Sequence, residues 1–335
     1  MLEVIYDMPK IGYGFSFLTV GYLIYYLREA VKPPELICAE GPFRTFIEKN
    51  VTIIRSKFWP TFWCFEARAQ TVLASVLRTI LSPRVQYRRE LFTLRDGGEV
   101  ALDWADQNCS PTSPIVIILP GLTGSSQADY IKGLITGAKA IGIRCIIFNN
   151  RGLGGVPLKT PRLYCAANVD DFTEVVDHLK KTHPNIPIGA TGVSMGGMIL
   201  GNYLAENGAA ATKKLKAAFI ISAPWNIREA VKSFEKPFFN LLLNRHLAQN
   251  LCRNIRRISS NDVSFSDINM EAVLKSKTIK EFDSNFTAKH FGYKDVDDYY
   301  DNASLHKKLH LIEVPVLCLN AADDPMQPLA GECSL

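Results

Sequence analysis

No two cysteines in this chain stand at C-x-x-C spacing, and no cysteine and histidine cluster has the spacing of a metal site. Zinc-ribbon, thioredoxin-type and small disulfide-scaffold readings therefore fall away. The eight cysteines, Cys38, Cys64, Cys109, Cys145, Cys165, Cys252, Cys318 and Cys333, are scattered and read as small buried hydrophobes. Charge of one sign is equally scarce. Lys and Arg total 38 against 33 Asp and Glu, a net of +5 spread evenly along the chain, where a nucleic-acid binder concentrates a basic face. Histidine is scarce too: there are six, at 178, 183, 246, 290, 306 and 310, and none beyond. What is present is 335 residues, 47% apolar and 21% charged, enough for one large globular domain or two small ones.

From Ile11 to Leu27 the chain runs 17 residues without a charge, flanked by Lys10 and Arg28, with Tyr13, Tyr25 and Tyr26 near the ends. As a helix this spans about 25 Å, the short end of a membrane span, and the tyrosines suit the interface. The segment is expected to be an uncleaved single-pass signal-anchor, because no small-x-small cleavage site follows it. Residues 28–90 read as linker and an aromatic-rich segment: Lys32-Pro33-Pro34 breaks regular structure, and FWPTFWCFE (58–66) carries five large rings. That block reads first as a helix edge packed on a core and second as a lipid-docking surface.

Past residue 90 the texture changes. ELFTLRDGGEVALDW is two alternating runs joined at Asp96-Gly97-Gly98, the pattern of a β-hairpin. Short continuous apolar runs follow at 114–120, 144–150, 187–193, 217–223 and 314–320, the first three intervals holding helix-length segments. Buried strands alternating with helices predict an α/β fold, a mostly parallel sheet covered on both faces. The last interval is far longer than one crossover needs, and predicts an inserted helical cap over about 224–313. Within it, residues 225–260 carry Arg228, Lys232, Lys236, Arg245, Arg253, Arg256 and Arg257 against Glu229 and Glu235. A solvated helix face is the first reading of that excess; contact with anionic lipid is the second.

At the strand-to-helix junction near 193 the sequence is Gly192-Val193-Ser194-Met195-Gly196. G-x-S-x-G in this setting is a nucleophile elbow: the turn strains the serine, and the helix passes so close to the sheet that Gly192 and Gly196 have no room for a Cβ. Ser194 is the candidate nucleophile. Acyl transfer also needs donors for an oxyanion, and the backbone N–H groups of Met195 and of Leu122, in the ILPGLTGSS loop, are placed for this. The orienting acid follows a late strand in chain order, which selects Asp324 in NAADDP, ahead of Asp323, because Pro325 and Pro328 fix the turn behind it.

FWPTFWCFE, LPGLTGSS, FNNRG, GVSMGGM, FGYKDVDDYY and VPVLCLNAADDP, in order between Ile11 and Pro328, together resemble the membrane-anchored α/β-hydrolase-domain family of phospholipases and carboxylesterases, in its animal medium-chain phospholipase A1-like branch. The resemblance implies an α/β-hydrolase fold over 91–328, a single N-terminal anchor in the endoplasmic reticulum or endomembranes, and hydrolysis of glycerolipid or short- and medium-chain esters. It implies a Ser-Asp-His relay without cofactor or metal, with Ser194 and Asp324 in two of the three places. Membrane lipid or ester substrate and the bilayer are the partners it implies; nucleic acid is not among them.

The third place is empty. The family carries its histidine in a Gly-Gly-His segment beyond the acid, whereas only residues 325–335 follow Asp324 and none is histidine. On this reading the chain is C-terminally truncated, with 329–335 a non-family tail. His178 and His183 are expected on a solvated helix face. Two alternatives stand beside a hydrolase: a membrane-tethered lipid- or partner-binding pseudoenzyme, and an acyltransferase, whose H-x-x-x-x-D motif is matched by His290 and Asp295 at a frequency chance accounts for.

Overall fold

The computed structural model describes residues 16–81, 84–259, 265 and 267–328. The chain forms two compact units dividing between Ala74 and Ser75. In the first, helix α1 (16–25) passes into a π-helical stretch, Tyr26–Ala30. Helix α2 (Pro42–Asn50) follows, and Lys32 bridges Phe58 in antiparallel fashion. The aromatic block is a turn, not a helix edge. Phe62 meets Tyr22 and Tyr26 edge-on with centroids 5.2 Å apart, and the Tyr26 hydroxyl donates to the Pro60 carbonyl at 2.6 Å. Among the described residues no helix is long and apolar enough to cross a membrane. The helical run ends at Val31, in extended conformation, with Tyr26 buried and Tyr25 exposed; residues 11–15 of the expected anchor lie outside the described residues.

Helix α3 (Ala67–Leu81) leads to seven strands: β1 (Arg88–Thr93), β2 (Glu99–Ala105), β3 (Ile115–Leu119), β4 (Arg144–Asn149), β5 (Ile188–Val193), β6 (Ala218–Ile221) and β7 (Val316–Leu319). Their spatial order is β1-β2-β4-β3-β5-β6-β7. The predicted hairpin is present, Phe92 opposite Val100, and β2 runs antiparallel to β4; all other pairs are parallel. Crossovers α4 (Asp129–Ala140), α5 (Asp170–Thr182) and α6 (Met195–Lys214) connect β3 to β6.

The alternation of side chains along β3 shows why both faces must be covered. Ile117 and Leu119 join Ile146 and Phe148 under α5 (Phe172, Val175, Val176) and α6 (Leu200, Tyr203, Leu204). Ile118 joins Ile147 under Ile131 and Ile135 of α4 on the opposite face. A third apolar cluster packs Leu158 and Leu163 against the long segment between β6 and β7, which holds α7 (Ile227–Phe234), α8 (Phe239–Ser259), α9 (Met270–Leu274), α10 (Ile279–Phe282), α11 (Ala288–His290) and α12 (Val296–Ala303), a π-helical stretch Asp283–Thr287 joining α10 to α11.

Buried charge ties the hairpin to the parallel core. Arg151, 1% exposed, donates from Nε and Nη2 to Asp171 at 2.6 and 2.8 Å and from Nη1 and Nη2 to Asp96 at 2.6 and 3.0 Å. His178 and His183 do not sit on a solvated face. Both are half-buried against the hairpin, His178 2.7 Å from the Glu90 carboxylate and in tilted ring contact with Phe92, His183 edge-on to Trp104; burial pushes the His183 imidazole below its ordinary range.

Candidate active site

Ser194 stands between β5 and α6 at φ 52° and ψ −117°. A non-glycine residue in that region carries strain that only a surrounding fixed fold maintains. The fixing is visible at both glycines. A Cβ on Gly192 would come within 2.4 Å of the Gly196 carbonyl oxygen; one on Gly196 would come within 2.2 Å of the Leu119 and 2.5 Å of the Pro120 carbonyl oxygens. The start of α6 thus lies directly against the end of β3. As the first helical residue, Met195 has no intrahelical acceptor for its N–H, and neither it nor the Leu122 N–H finds a backbone acceptor among the described residues.

The loop bearing Leu122 is held by two phenols that local sequence does not announce. The half-buried Tyr130 hydroxyl accepts from the Gly121 N–H at 2.9 Å, and Tyr164 accepts from the Thr123 backbone. Burial raises both phenols above their ordinary range, so they stay neutral. With its two neighbours' N–H groups occupied, Leu122 is the residue of this turn whose N–H is left.

Asp324 lies on the turn after β7. Its Oδ1 accepts from the Met326 N–H at 2.8 Å and the Gln327 N–H at 3.2 Å; burial, outweighing these two bonds, raises its carboxyl above the ordinary range. Asp323 is exposed. The turn is latched on two sides. Gln327 Nε2 donates to the Ser222 carbonyl after β6. From the cap, Ser233 Oγ and Asn240 Nδ2 both donate to the Pro325 carbonyl, at 2.9 and 2.7 Å.

Gly121, Leu122, Ser194, Met195, Met326 and Gln327 line one cavity of about 320 Å³, roofed by α7, α8 and the α10–α12 region. Asp324 is not itself in the wall; Met326 and Gln327, which hold its carboxylate, are. The wall is mainly apolar (Leu153, Val231, Phe234, Leu251, Ile255, Phe286) and contains one carboxyl, Asp283. Burial lifts Asp283 to about 6 even though Thr287 Oγ1 (2.7 Å) and the Tyr300 hydroxyl (3.1 Å) donate to it. Nothing in the sequence marked this residue out; its only local signal is an aspartate between two phenylalanines, Phe282 and Phe286.

None of the six histidines lines the cavity. His290 is stacked on Phe286, its Nε2 accepting from the Leu163 N–H at 3.1 Å, and burial lowers it to about 4. The matched Asp295 caps α12, accepting from the Asp298 N–H at 2.8 Å. The H-x-x-x-x-D match is thus accounted for by packing and capping. His306 Nδ1 lies 3.2 Å from the Trp225 carbonyl, His246 pairs with Asn250, and His310 is exposed. Among the described residues no group of three His, Cys, Asp or Glu is placed to hold a metal ion.

A mostly parallel sheet with helices on both faces, a strained serine between its central strand and a helix, and a cap over that serine define an α/β hydrolase. The chain belongs to the alpha/beta hydrolase family: the model of the alpha/beta hydrolase fold matches residues 114–333. It is 40% identical over 326 residues to the protein named phospholipase ABHD3 of Mus musculus, covering 95% of this chain and 78% of that protein. It is 35% identical over 290 residues to protein abhd-3.2 of Caenorhabditis elegans (86% and 75%), and 24% identical over 340 residues to monoacylglycerol lipase ABHD2 of Homo sapiens (96% and 80%).

Proposed function

We propose that this hydrolase acts on carboxylic esters of lipids, with Ser194 as nucleophile, the N–H groups of Leu122 and Met195 as oxyanion donors and Asp324 as the acid that orients a histidine base. The strained position of Ser194 in the wall of a mainly apolar cavity carries this reading. An apolar cavity of about 320 Å³ fits an acyl chain, and the names of the relatives, a phospholipase and a monoacylglycerol lipase, agree with a lipid substrate. In the chemistry, a base removes the serine proton as Oγ attacks the ester carbonyl. The two N–H groups take up the oxyanion charge, the alcohol leaves with the proton, and water repeats the sequence on the acyl-enzyme.

These residues supply every part of that sequence except the base. A base has to stand within hydrogen-bond reach of the serine hydroxyl, and no histidine lines the cavity. The same observation favours a second reading, a lipid-binding member of the family with little turnover of its own. Fatty-acid release from phospholipid and monoacylglycerol vesicles, with and without added imidazole as a substitute base, separates them. The hydrolase reading expects release that rises with imidazole and disappears in Ser194→Ala; lipid binding with no release in either condition supports the second reading.

Attachment to an endomembrane is proposed on the uncharged run from Ile11 to Leu27. Alkaline carbonate extraction of cell membranes is the test: the protein stays in the pellet, and deletion of residues 1–30 releases it.

A further inference from the structure

The cap carries a surface that the cavity chemistry does not use. Helix α8 has 21 residues, four of them arginine (245, 253, 256 and 257) and none aspartate or glutamate. Ala248, Leu251, Ile255 and Ile258 face the core or the cavity. Leu242, Arg245, Gln249, Arg253 and Arg256 recur at spacings of three and four residues on the exposed side, one solvent face of the helix. Among the described residues, Arg245, Arg253 and Arg256 make no ion pair. Two other cations of this stretch are paired, Arg228 with Asp297 and Asp301, and Lys232 with Glu229. Of the excess visible in residues 225–260, Arg245, Arg253 and Arg256 lie on the outer face of α8 and Lys236 lies just before it.

At the start of this face the α7–α8 turn exposes apolar rings. Phe238 is 83% exposed, Phe239 51% and Leu242 59%, with the exposed Lys236 beside them. Phe238 holds a left-handed φ of 67°, a costly backbone conformation for an aromatic residue. Exposed rings at one end of a basic helix face, without a carboxylate in that helix, match the interface of an anionic bilayer: rings enter the boundary between headgroups and acyl chains while guanidinium groups remain among the phosphates.

We propose that the α7–α8 turn and the outer face of α8 dock the cap on an anionic lipid surface, through Phe238, Phe239 and Leu242 inserted and Arg245 and Arg253 at headgroup level. Phe234 and Leu247, in the two helices that flank this turn, line the cavity holding Ser194, so docking brings the cavity roof to the source of lipid. The proposal rests on the lipid-ester reading for its purpose, but its test reads binding without turnover; failure of either leaves the other standing.

Amide exchange of the full chain is measured with vesicles of phosphatidylcholine alone and of phosphatidylcholine with phosphatidylserine. Slower exchange over residues 236–246 is expected with the phosphatidylserine vesicles. Phe238→Ser/Phe239→Ser and Arg245→Glu/Arg253→Glu, at exposed positions where folding is spared, each lower vesicle affinity by at least about tenfold with the melting temperature unchanged. Arg245→Lys/Arg253→Lys retains it. Unchanged exchange over 236–246, or full affinity in either disruptive variant, overturns the proposal; so does protection of this segment by a protein partner and not by vesicles.

Discussion

Asp283 shows how much a single buried group decides. Its carboxyl sits in the cavity wall with hydroxyl donors and no cation against it, and titrates at about 6 where an ordinary aspartate stands at 3.8. Because the folded-state value is raised, its contribution to stability is complete below pH 3.8 and is lost as pH rises through about 6. The swing is about 3 kcal/mol. Asp283→Asn keeps the shape and removes the titration, so urea melts should show the variant gaining on the wild type by about that amount between pH 4 and 7; a difference independent of pH would contradict the assignment. The elbow glycines make an opposite kind of prediction. Gly196→Ala drives a methyl into two backbone oxygens that cannot rotate away, and is expected to cost more than about 3 kcal/mol in the same melts. Gly192 and Gly196 were legible in the sequence because the elbow is a local motif. Tyr130, Tyr164 and Asp283 were not, because each acts through a contact that only the fold creates.

Among the elements, the turn after β7 depends on partners that arrive from far along the chain. Ser233 and Asn240 reach the Pro325 carbonyl across 92 and 85 residues of sequence, so the cap both roofs the cavity and fixes the turn that carries Asp324. Asn240→Ala leaves that carbonyl with one donor fewer, at a cost of about 1 kcal/mol; the effect should concentrate in faster amide exchange over 321–328, with β3 to β5 unchanged. Uniform acceleration across the chain would mean that the latch is general packing. The strand and crossover order was readable because buried parallel strands are continuous apolar runs set between amphipathic helices. The role of the hairpin was less so. Its turn aspartate, Asp96, shares Arg151 with Asp171 of α5, and Arg151→Ala, leaving these carboxylates without their cation, is expected to cost about 3–5 kcal/mol in thermal or urea unfolding. At the N-terminus the uncharged run predicts a spanning helix; among the described residues no helix is long and apolar enough to cross a membrane, and Tyr22 and Tyr26 pack on Phe62.

For the molecule as a whole, the strained Ser194 turn, the Gly121–Leu122 loop and the turn after β7 converge on one apolar cavity, while the six histidines are committed elsewhere or exposed. The central proposal is that Ser194 is the nucleophile and that its base has to be supplied. Labelling by a fluorophosphonate probe, in the presence and absence of imidazole and against Ser194→Ala, tests it directly. The account predicts negligible labelling of this chain alone, labelling that rises with imidazole, and none in the variant. Strong labelling without imidazole, labelling that survives loss of Ser194, or no labelling in any condition would contradict it.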